Sequence, residues 1–232
     1  MAPTVAIIIP VLNERMFIIE ALQRVSCLGA DEIIVVDGNS NDGTYELIKE
    51  RFPHTRCLRS NNAHRAIQMN IGAQEATSDI LVFLHADVRL DPNSVEAIKT
   101  KMRQGFIGGG FKKIYEPTTV LLSVYRFFLN NVYLNLMKNL VGSNAIFVRR
   151  DLFEGLKGFP EVDFMEDVVF AQILKKAGRL AVINGPVVVS SRRYKNNGVL
   201  KQIVRNARII FDFQYLHRNP QQLKEVYIAN AK

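Results

Sequence analysis

The first half of the chain repeats one pattern four times: a short apolar run rich in β-branched residues, a polar turn, then apolar positions three and four residues apart. The runs at residues 4–9, 32–36, 55–59 and 80–84 read as strands. The segments that follow read as helices, the first ending near residue 26 and the others at 45–51, 62–73 and 91–102. Such alternation predicts an α/β fold, with a mostly parallel central sheet, helices on both sides and right-handed crossovers. Pro10 stops the first strand, and Asn13 is placed to cap the helix after it. The run Ile80-Leu81-Val82-Phe83-Leu84 lies between Asp79 and the polar His85-Ala86-Asp87. Unbroken apolar character predicts a strand buried on both faces. Ligands of open α/β sheets bind beyond the carboxyl ends of the strands, so Asp87 is expected to face a cleft.

Arg65, Gln68 and Gly72 recur at helical spacing, and one stripe holding a cation, an amide and a glycine predicts a nucleotide-facing surface rather than core. Residues 106–114 read as a strand in which Gly108, Gly109 and Gly110 permit close backbone approach. The second half is less regular. Residues 118–140 are helix-like and apolar and are expected to form a buried helix, the alternative being an amphipathic helix resting on a bilayer. A turn and short strand follow at 142–150. Val168, Ala171 and Leu174 define a helix that opens on Glu166 and Asp167. A helix dipole stabilises negative charge there by about 0.3–1 kcal/mol, and paired acids at a cleft edge also suit a general base. A strand at 187–189, a basic segment, an amphipathic helix at 199–216 and a short helix at 221–227 complete the chain.

Composition narrows the classes. A 48% hydrophobic chain of 232 residues without linker, repeat or low-complexity tract is one compact unit with a sizeable core. Cys27 and Cys57 lie outside any metal-type spacing and read as buried thiols of a reducing compartment. The N-terminus lacks a basic region followed by an apolar core, and no uncharged run reaches the ~18 residues of a membrane span, which implies a cytoplasmic location. The net charge of +8 is uneven: Arg192 to Lys232 holds nine Lys or Arg against two acids, the preceding residues 21 against 20. A basic tail suits phosphate groups or the anionic inner face of a membrane. Nucleic acid is not an expected partner, since no reading module is visible.

The loop Asp37-Gly38-Asn39-Ser40-Asn41-Asp42-Gly43-Thr44 turns sharply beside a helix N-terminus. It carries neither the Gly-Lys-Ser/Thr of a P-loop nor GxGxxG spacing, which speaks against ATPases and simple dehydrogenases. A strand-end Asp37 is placed to hydrogen-bond a base or ribose.

Five motifs in register resemble glycosyltransferase family 2, whose fold is the Rossmann-like GT-A fold. Ile9-Pro10-Val11-Leu12-Asn13-Glu14 is similar to the family's opening strand and loop. Val35-Val36-Asp37 with Ser40, Asp42, Gly43 and Thr44 resembles its VVDDGSTDGT stretch, and Phe83-Leu84-His85-Ala86-Asp87 stands in the place of its metal-binding DxD. Met165-Glu166-Asp167 resembles the ED motif. Ala66-Ile67-Gln68-Met69-Asn70, Phe147-Val148-Arg149-Arg150 and Ser191-Arg192-Arg193-Tyr194 are most similar to the branch found beside radical-SAM/selenodomain proteins. The resemblance spans about residues 1–195, the transferase domain, and leaves 196–232 as a helical, basic C-terminal extension packed on it.

This resemblance implies an inverting, divalent-metal-dependent transferase that moves a sugar from a nucleotide-diphosphate donor, UDP favoured, to an acceptor hydroxyl. It implies that Pro10, Val11, Asn13, Glu14 and Asp37 bracket the base and ribose, with Arg65 and Gln68 near the phosphates. His85, Ala86 and Asp87 would lie at the diphosphate, with Asp87 binding Mg²⁺ or Mn²⁺, since such ions take few protein ligands and several phosphate oxygens. Asp167 would be the general base and Glu166 would hold it. Arg192 and Arg193 fall on the donor side, Asn144 and Tyr194 on the acceptor side. Two positions depart from the pattern: His85 replaces the first Asp of the DxD, so that one carboxylate suffices (the reading preferred), His85 is itself a ligand, or metal binding is weak, and Gly38 replaces the second Asp of VVDD. The alternatives are a nucleotidyltransferase on a similar sheet, which would release pyrophosphate, and an inactive nucleotide-binding or membrane-docking module. A lipid-linked acceptor and contact with anionic membrane follow from the basic tail.

Overall fold

A computed structural model describes residues 2–216 and 218–229; Lys232, counted in the basic tail, lies outside the described residues. The first four strands, β1 (Val5–Val11), β2 (Glu32–Asp37), β3 (Arg56–Arg59) and β4 (Ile80–Phe83), are parallel neighbours in the order β3-β2-β1-β4. Helices α1 (Ile18–Ser26), α2 (Thr44–Arg51) and α3 (Arg65–Glu75) make the crossovers, and the short β5 (Val88–Arg89) precedes α4 (Ser94–Arg103). The sheet continues through β7 (Ile146–Arg149), β6 (Gly108–Glu116) and β8 (Leu180–Ser190) to β5, eight strands in all. Only β7 and β5 run against the rest, so the mixed α/β sheet is mostly parallel.

Alternate residues of the inner strands feed two cores. Ile7, Ile9, Val35 and Val82 pack on one face, and Ile8, Ile34, Val36, Leu81 and Phe83 on the other. Burial on both faces explains the unbroken apolar run of β4. Close approach explains the glycines of β6: a Cβ on Gly108 would lie 2.6 Å from the Phe147 carbonyl oxygen, and one on Gly110 would lie 2.7 Å from Leu140 Cδ2.

The stripe expected on α3 is corrected. Gly72 faces the sheet, where a Cβ would sit 2.5 Å from Ile8 Cγ2, so it seats the helix on β1 and meets no ligand. Residues 118–140 differ from the buried helix expected of them. They form α5 (Val120–Phe128) and a π-helical turn (Leu129–Leu136). Leu122, Leu129 and Leu134 are buried, but Val120, Val124 and Phe127 are 85%, 64% and 68% exposed, because only one stripe of the segment meets the body of the protein. Cys27 is exposed and Cys57 half-buried, contrary to the reading of both as buried.

After β7 come α6 (Arg150–Gly155) and α7 (Glu166–Ala177). Strand β8 is longer than the predicted 187–189, because Asn184-Gly185-Pro186 interrupts its alternation where the register with β6 shifts. Helices α8 (Arg192–Asn197), α9 (Val199–Gln214) and α10 (Pro220–Ala229) complete the chain, with Val199, Ile203 and Ile210 of α9 packed on the first core.

Candidate active site

The carboxyl ends of β1 and β4 open onto a cavity of about 730 Å³, whose lining includes neither Asn13 nor Asp37 at the end of β2. Pro10, Val11 and Glu14 line it from β1 and its loop, and His85, Ala86 and Asp87 from the end of β4. Arg65, Gln68, Arg192 and Arg193 line it as well. The exposed Asp87 carboxylate shares the cavity with Glu14. Burial raises the Glu14 carboxyl and the neighbouring Asp87 raises it further, against the opposing Arg192 guanidinium. Arg192 stacks 4.8 Å above the Phe17 ring. Burial, with Arg65 and Arg193 close by, pushes the His85 imidazole down to about 3, so the ring is neutral at ordinary pH.

The first loops are tied to each other rather than to their own helices. Asn13 does not cap α1; it sits at φ 55° and its Oδ1 accepts from the Asn41 amide at 3.0 Å, while its own amide donates to Ser40 Oγ at 2.9 Å. Long-range pairing replaces the cap because the Asn41 amide supplies the donor that the Asn13 oxygen would otherwise take from the first N–H groups of a helix. Asp37 is fully buried: Oδ2 accepts from the Ser40 amide at 2.9 Å and lies 3.6 Å from Arg59 Nε. Its Oδ1 is buried with no partner among the described residues. Gln68 is buried too, and its Nε2 donates to the carbonyls of Val11 and Val36, both at 2.8 Å, which pins together the ends of β1 and β2.

A second cavity of about 550 Å³ adjoins the first. Arg65, Ser143, Asp167, Arg193 and Tyr194 line both. Asp167 lies in the first turn of α7, preceded by Met165 at φ 63°, a conformation that costs a non-glycine residue energy and tends to persist at functional sites. The Asp167 carboxylate accepts from its neighbour Val168 N at 2.8 Å and from the Gly142 amide. Gly142 belongs to a 3₁₀ turn (Gly142–Asn144) pressed against His85, so one turn touches both cavities. Glu166 is buried and accepts from Arg65 at 3.2 Å. Burial and the adjacent Asp167 raise its carboxyl, and Arg65 opposes them.

Asn144 is turned to structural work: its Nδ2 donates to the Phe111 carbonyl at 2.8 Å and its Oδ1 accepts from Val141 N at 3.1 Å. The Tyr194 hydroxyl lies 3.3 Å from that of Tyr115 and accepts from Asn206 at 3.1 Å. Sequence reasoning missed Lys113, whose buried side chain lines the second cavity and donates to Ser143 Oγ at 2.8 Å. A signal existed, because Phe111, Lys113 and Tyr115 alternate with partly exposed residues along β6 and put the lysine in an inward position.

Among the described residues no three His, Cys, Asp or Glu side chains cluster as a metal cage. Two neighbouring carboxylates in an open polar cavity instead suit an ion that draws most of its ligands from a bound diphosphate.

Residues 6–155 match a family model described as glycosyl transferase family 2. An undecaprenyl-phosphate 4-deoxy-4-formamido-L-arabinose transferase of Pseudomonas savastanoi is 26% identical over 112 residues, which are 44% of this chain and 33% of that protein. The chain thus matches about a third of that relative's length. The mannosyltransferase PcManGT of Pyrobaculum calidifontis, solved with GDP-Man and Mn²⁺, superposes with a TM-score of 0.69 at 18% identity and covers 100% of this chain and 70% of that one. Glucosyl-3-phosphoglycerate synthase of Mycobacterium tuberculosis, solved with Mn²⁺, UDP and glucosyl-3-phosphoglycerate, superposes with a TM-score of 0.62 at 18% identity, covering 88% and 78%.

Proposed function

The chain belongs to glycosyltransferase family 2, and from that premise we propose that it is an inverting, divalent-metal-dependent transferase acting on a nucleotide-diphosphate sugar, with residues 1–195 as the transferase unit and 196–232 as its extension. The observation that carries the reading is the meeting of two cavities at Asp167, one lined by the β1 and β4 strand ends and the other by the ED helix. In this reading the first holds the donor and the second the acceptor. UDP is the donor nucleotide favoured, as in the complex of the mycobacterial synthase. Asp37, fully buried, acts from behind by holding the turn through the Ser40 amide, with Pro10, Val11 and the loop held by Asn13 shaping the base pocket. Gln68 acts behind them by fixing the strand ends, while Arg65, Arg192 and Arg193 supply positive charge to the diphosphate.

The acceptor hydroxyl gives its proton to Asp167, and its oxygen attacks the anomeric carbon from the face opposite the nucleotide. The bond to the diphosphate oxygen breaks and the nucleoside diphosphate departs with the electron pair, inverting the centre. The two backbone amides on Asp167 fix its orientation before the acceptor arrives. Asp87 would hold Mg²⁺ or Mn²⁺, which when bound offsets the charge developing on the leaving diphosphate. A nucleotidyltransferase would release pyrophosphate instead, so the product separates the two.

Calorimetric titration of UDP and GDP with and without Mn²⁺ tests the reading, with Asp87→Asn as control. Manganese-dependent UDP binding that the variant loses is expected. Equal binding without metal, or by the variant, would refute the metal role.

The exposed apolar side chains support a further element of this reading, peripheral contact with anionic membrane at the cytoplasmic face and a lipid-linked acceptor. Val120, Val124 and Phe127 on α5 and Leu200, Val204 and Phe211 on α9 point outward, with Lys201 and Arg208 also exposed. No described helix is long and apolar enough to cross a membrane, so contact would be in-plane. Vesicles containing anionic lipid should sediment the protein at low salt; failure to do so removes this element.

A further inference from the structure

The second cavity carries a buried cation, Lys113, that the transferase chemistry does not use, and beside it Arg193, which lines both cavities. Its ion pairs are largely internal. Asp163 pairs with Lys224 at 3.0 Å and lies 3.3 Å from His64 Nε2, and Glu166 pairs with Arg65 at 3.2 Å. Lys113 and Arg193 also line the cavity and have no ion-pair partner among the described residues. Among the described residues Arg193 donates to the Tyr227 hydroxyl alone, at 3.4 Å. The Lys113 ammonium has three N–H donors, of which one meets Ser143 Oγ. A buried cation with a single neutral partner is poorly solvated and attracts an anion.

The position of this lysine is built, not incidental. Its backbone amide donates to Asn130 Oδ1 at 3.0 Å, and its carbonyl accepts from Asn130 Nδ2 at 2.8 Å. Two residues earlier, the Phe111 carbonyl accepts from Asn144. Both asparagines come from residues 129–144, the stretch that also supplies Ser143 and the Gly142 amide on Asp167. Lys113 and the carboxylate of Asp167 are therefore fixed from one scaffold, inside one cavity, and Lys113 lies in the field of Asp167 without pairing to it.

We propose that this cavity binds an acceptor bearing a phosphate monoester or diester, and that the Lys113 ammonium, helped by Arg193, anchors the phosphate so that the acceptor's nucleophilic oxygen reaches Asp167. Arg65, already held by Glu166, and the apolar Leu129, Leu134 and Ile209 would flank the remainder of the molecule. The proposal rests on the transferase reading and names its acceptor class. Phosphate chemistry is favoured over a carboxylate because two separate cations converge on one cavity, matching a group with several anionic oxygens.

The test is calorimetric titration with UDP and Mn²⁺ saturating, so that the donor cavity is filled. Farnesyl phosphate, farnesol and glycerol 3-phosphate are titrated into the wild type, Lys113→Met and Lys113→Gln. A phosphate-bearing probe should bind the wild type and farnesol should not match it. Lys113→Met should weaken that binding at least tenfold while UDP affinity stays unchanged, and its melting temperature should rise, since an apolar side chain of similar length replaces a buried charge. Lys113→Gln gives the same readout if the methionine variant fails to fold. Tighter binding of farnesyl phosphate assigns a lipid source, and tighter binding of glycerol 3-phosphate a soluble one; both support the anchor. Equal affinity in wild type and variants, or binding of neither phosphate, overturns it. A lysine with a merely structural role would lower the melting temperature and UDP affinity together, which also overturns it. Failure of both UDP and GDP to bind the wild type would refute the transferase reading instead.

Discussion

Gly142→Ala places one methyl group where the two cavities meet. The glycine does not have a left-handed backbone, so the cost is steric rather than conformational. The added Cβ would lie well inside contact distance of His85 Nε2 and 2.9 Å from Asp167 Oδ2, whereas ordinary contacts begin at 3.4 Å. Asp167 would have to retreat by about half an ångström, and the imidazole by more, or the turn would have to move and carry away the amide that orients the carboxylate. A misplacement of about 1 Å costs roughly a hundredfold in rate, so kcat should fall about 10- to 100-fold. Overpacking should cost about 1–3 kcal/mol of stability, or several degrees at ~2–4 °C per kcal/mol for a domain of this size. Nucleoside diphosphate release from a UDP-sugar, followed with acceptor phosphates and as slow hydrolysis by water, reads the rate. Gly155→Ala is the matched control, because nothing lies within 4 Å of its added methyl. A Gly142→Ala enzyme with wild-type turnover and melting temperature would show that Asp167 is not held by this turn during the reaction.

Two other outcomes follow from buried charge. Burial pushes the Lys113 ammonium down to about 8 from the ordinary 10.5. Between those values the unfolded chain binds more protons than the folded one, so this residue makes stability rise with pH there, and below about pH 8 it costs on the order of 3 kcal/mol. Lys113→Met should flatten that part of a denaturant-measured stability profile, and an unchanged slope would sink the assignment. Arg65→Met strips the buried Glu166 of its ion-pair partner and should cost about 1–3 kcal/mol. The Glu166 carboxyl is raised in the fold, so its contribution is present below its unfolded value and lost as pH rises through its folded one. The melting deficit of the variant should therefore grow as pH rises above the ordinary carboxylate value of 4.5, and a deficit independent of pH would contradict the pairing.

The parts of the fold legible in the sequence are those governed by local periodicity. The unbroken run of β4 announces burial on both faces, and the glycines of β6 announce close approach. The candidate chemistry at Asp87 and Asp167 is legible because each stands at the end of a recognisable strand or helix. Interactions between distant segments are not legible. Asn13 satisfies the local requirements of a helix cap, yet the turn 28 residues onward takes its side chain. Gly72 and Gln68 look like a polar stripe until the sheet is placed beneath them, when one becomes a contact point and the other a strand clamp. Half-exposed α5 could not be distinguished from a buried helix, since its apolar residues run nearly all the way round and the positions of β6 and α9 decide which stripe is covered.

Beyond Gly109, β6 parts from β7, and an edge of its backbone is left without a strand beside it. Asn130 closes that edge at Lys113 with a donor and an acceptor from a single side chain, and Asn144 closes it at Phe111. An uncovered sheet edge leaves donors and acceptors that need partners. The two side-chain amides therefore stand in for the missing strand: they satisfy the backbone of β6 at the cavity wall and hold the strand that carries Lys113 straight, while the space a neighbouring strand would fill stays open.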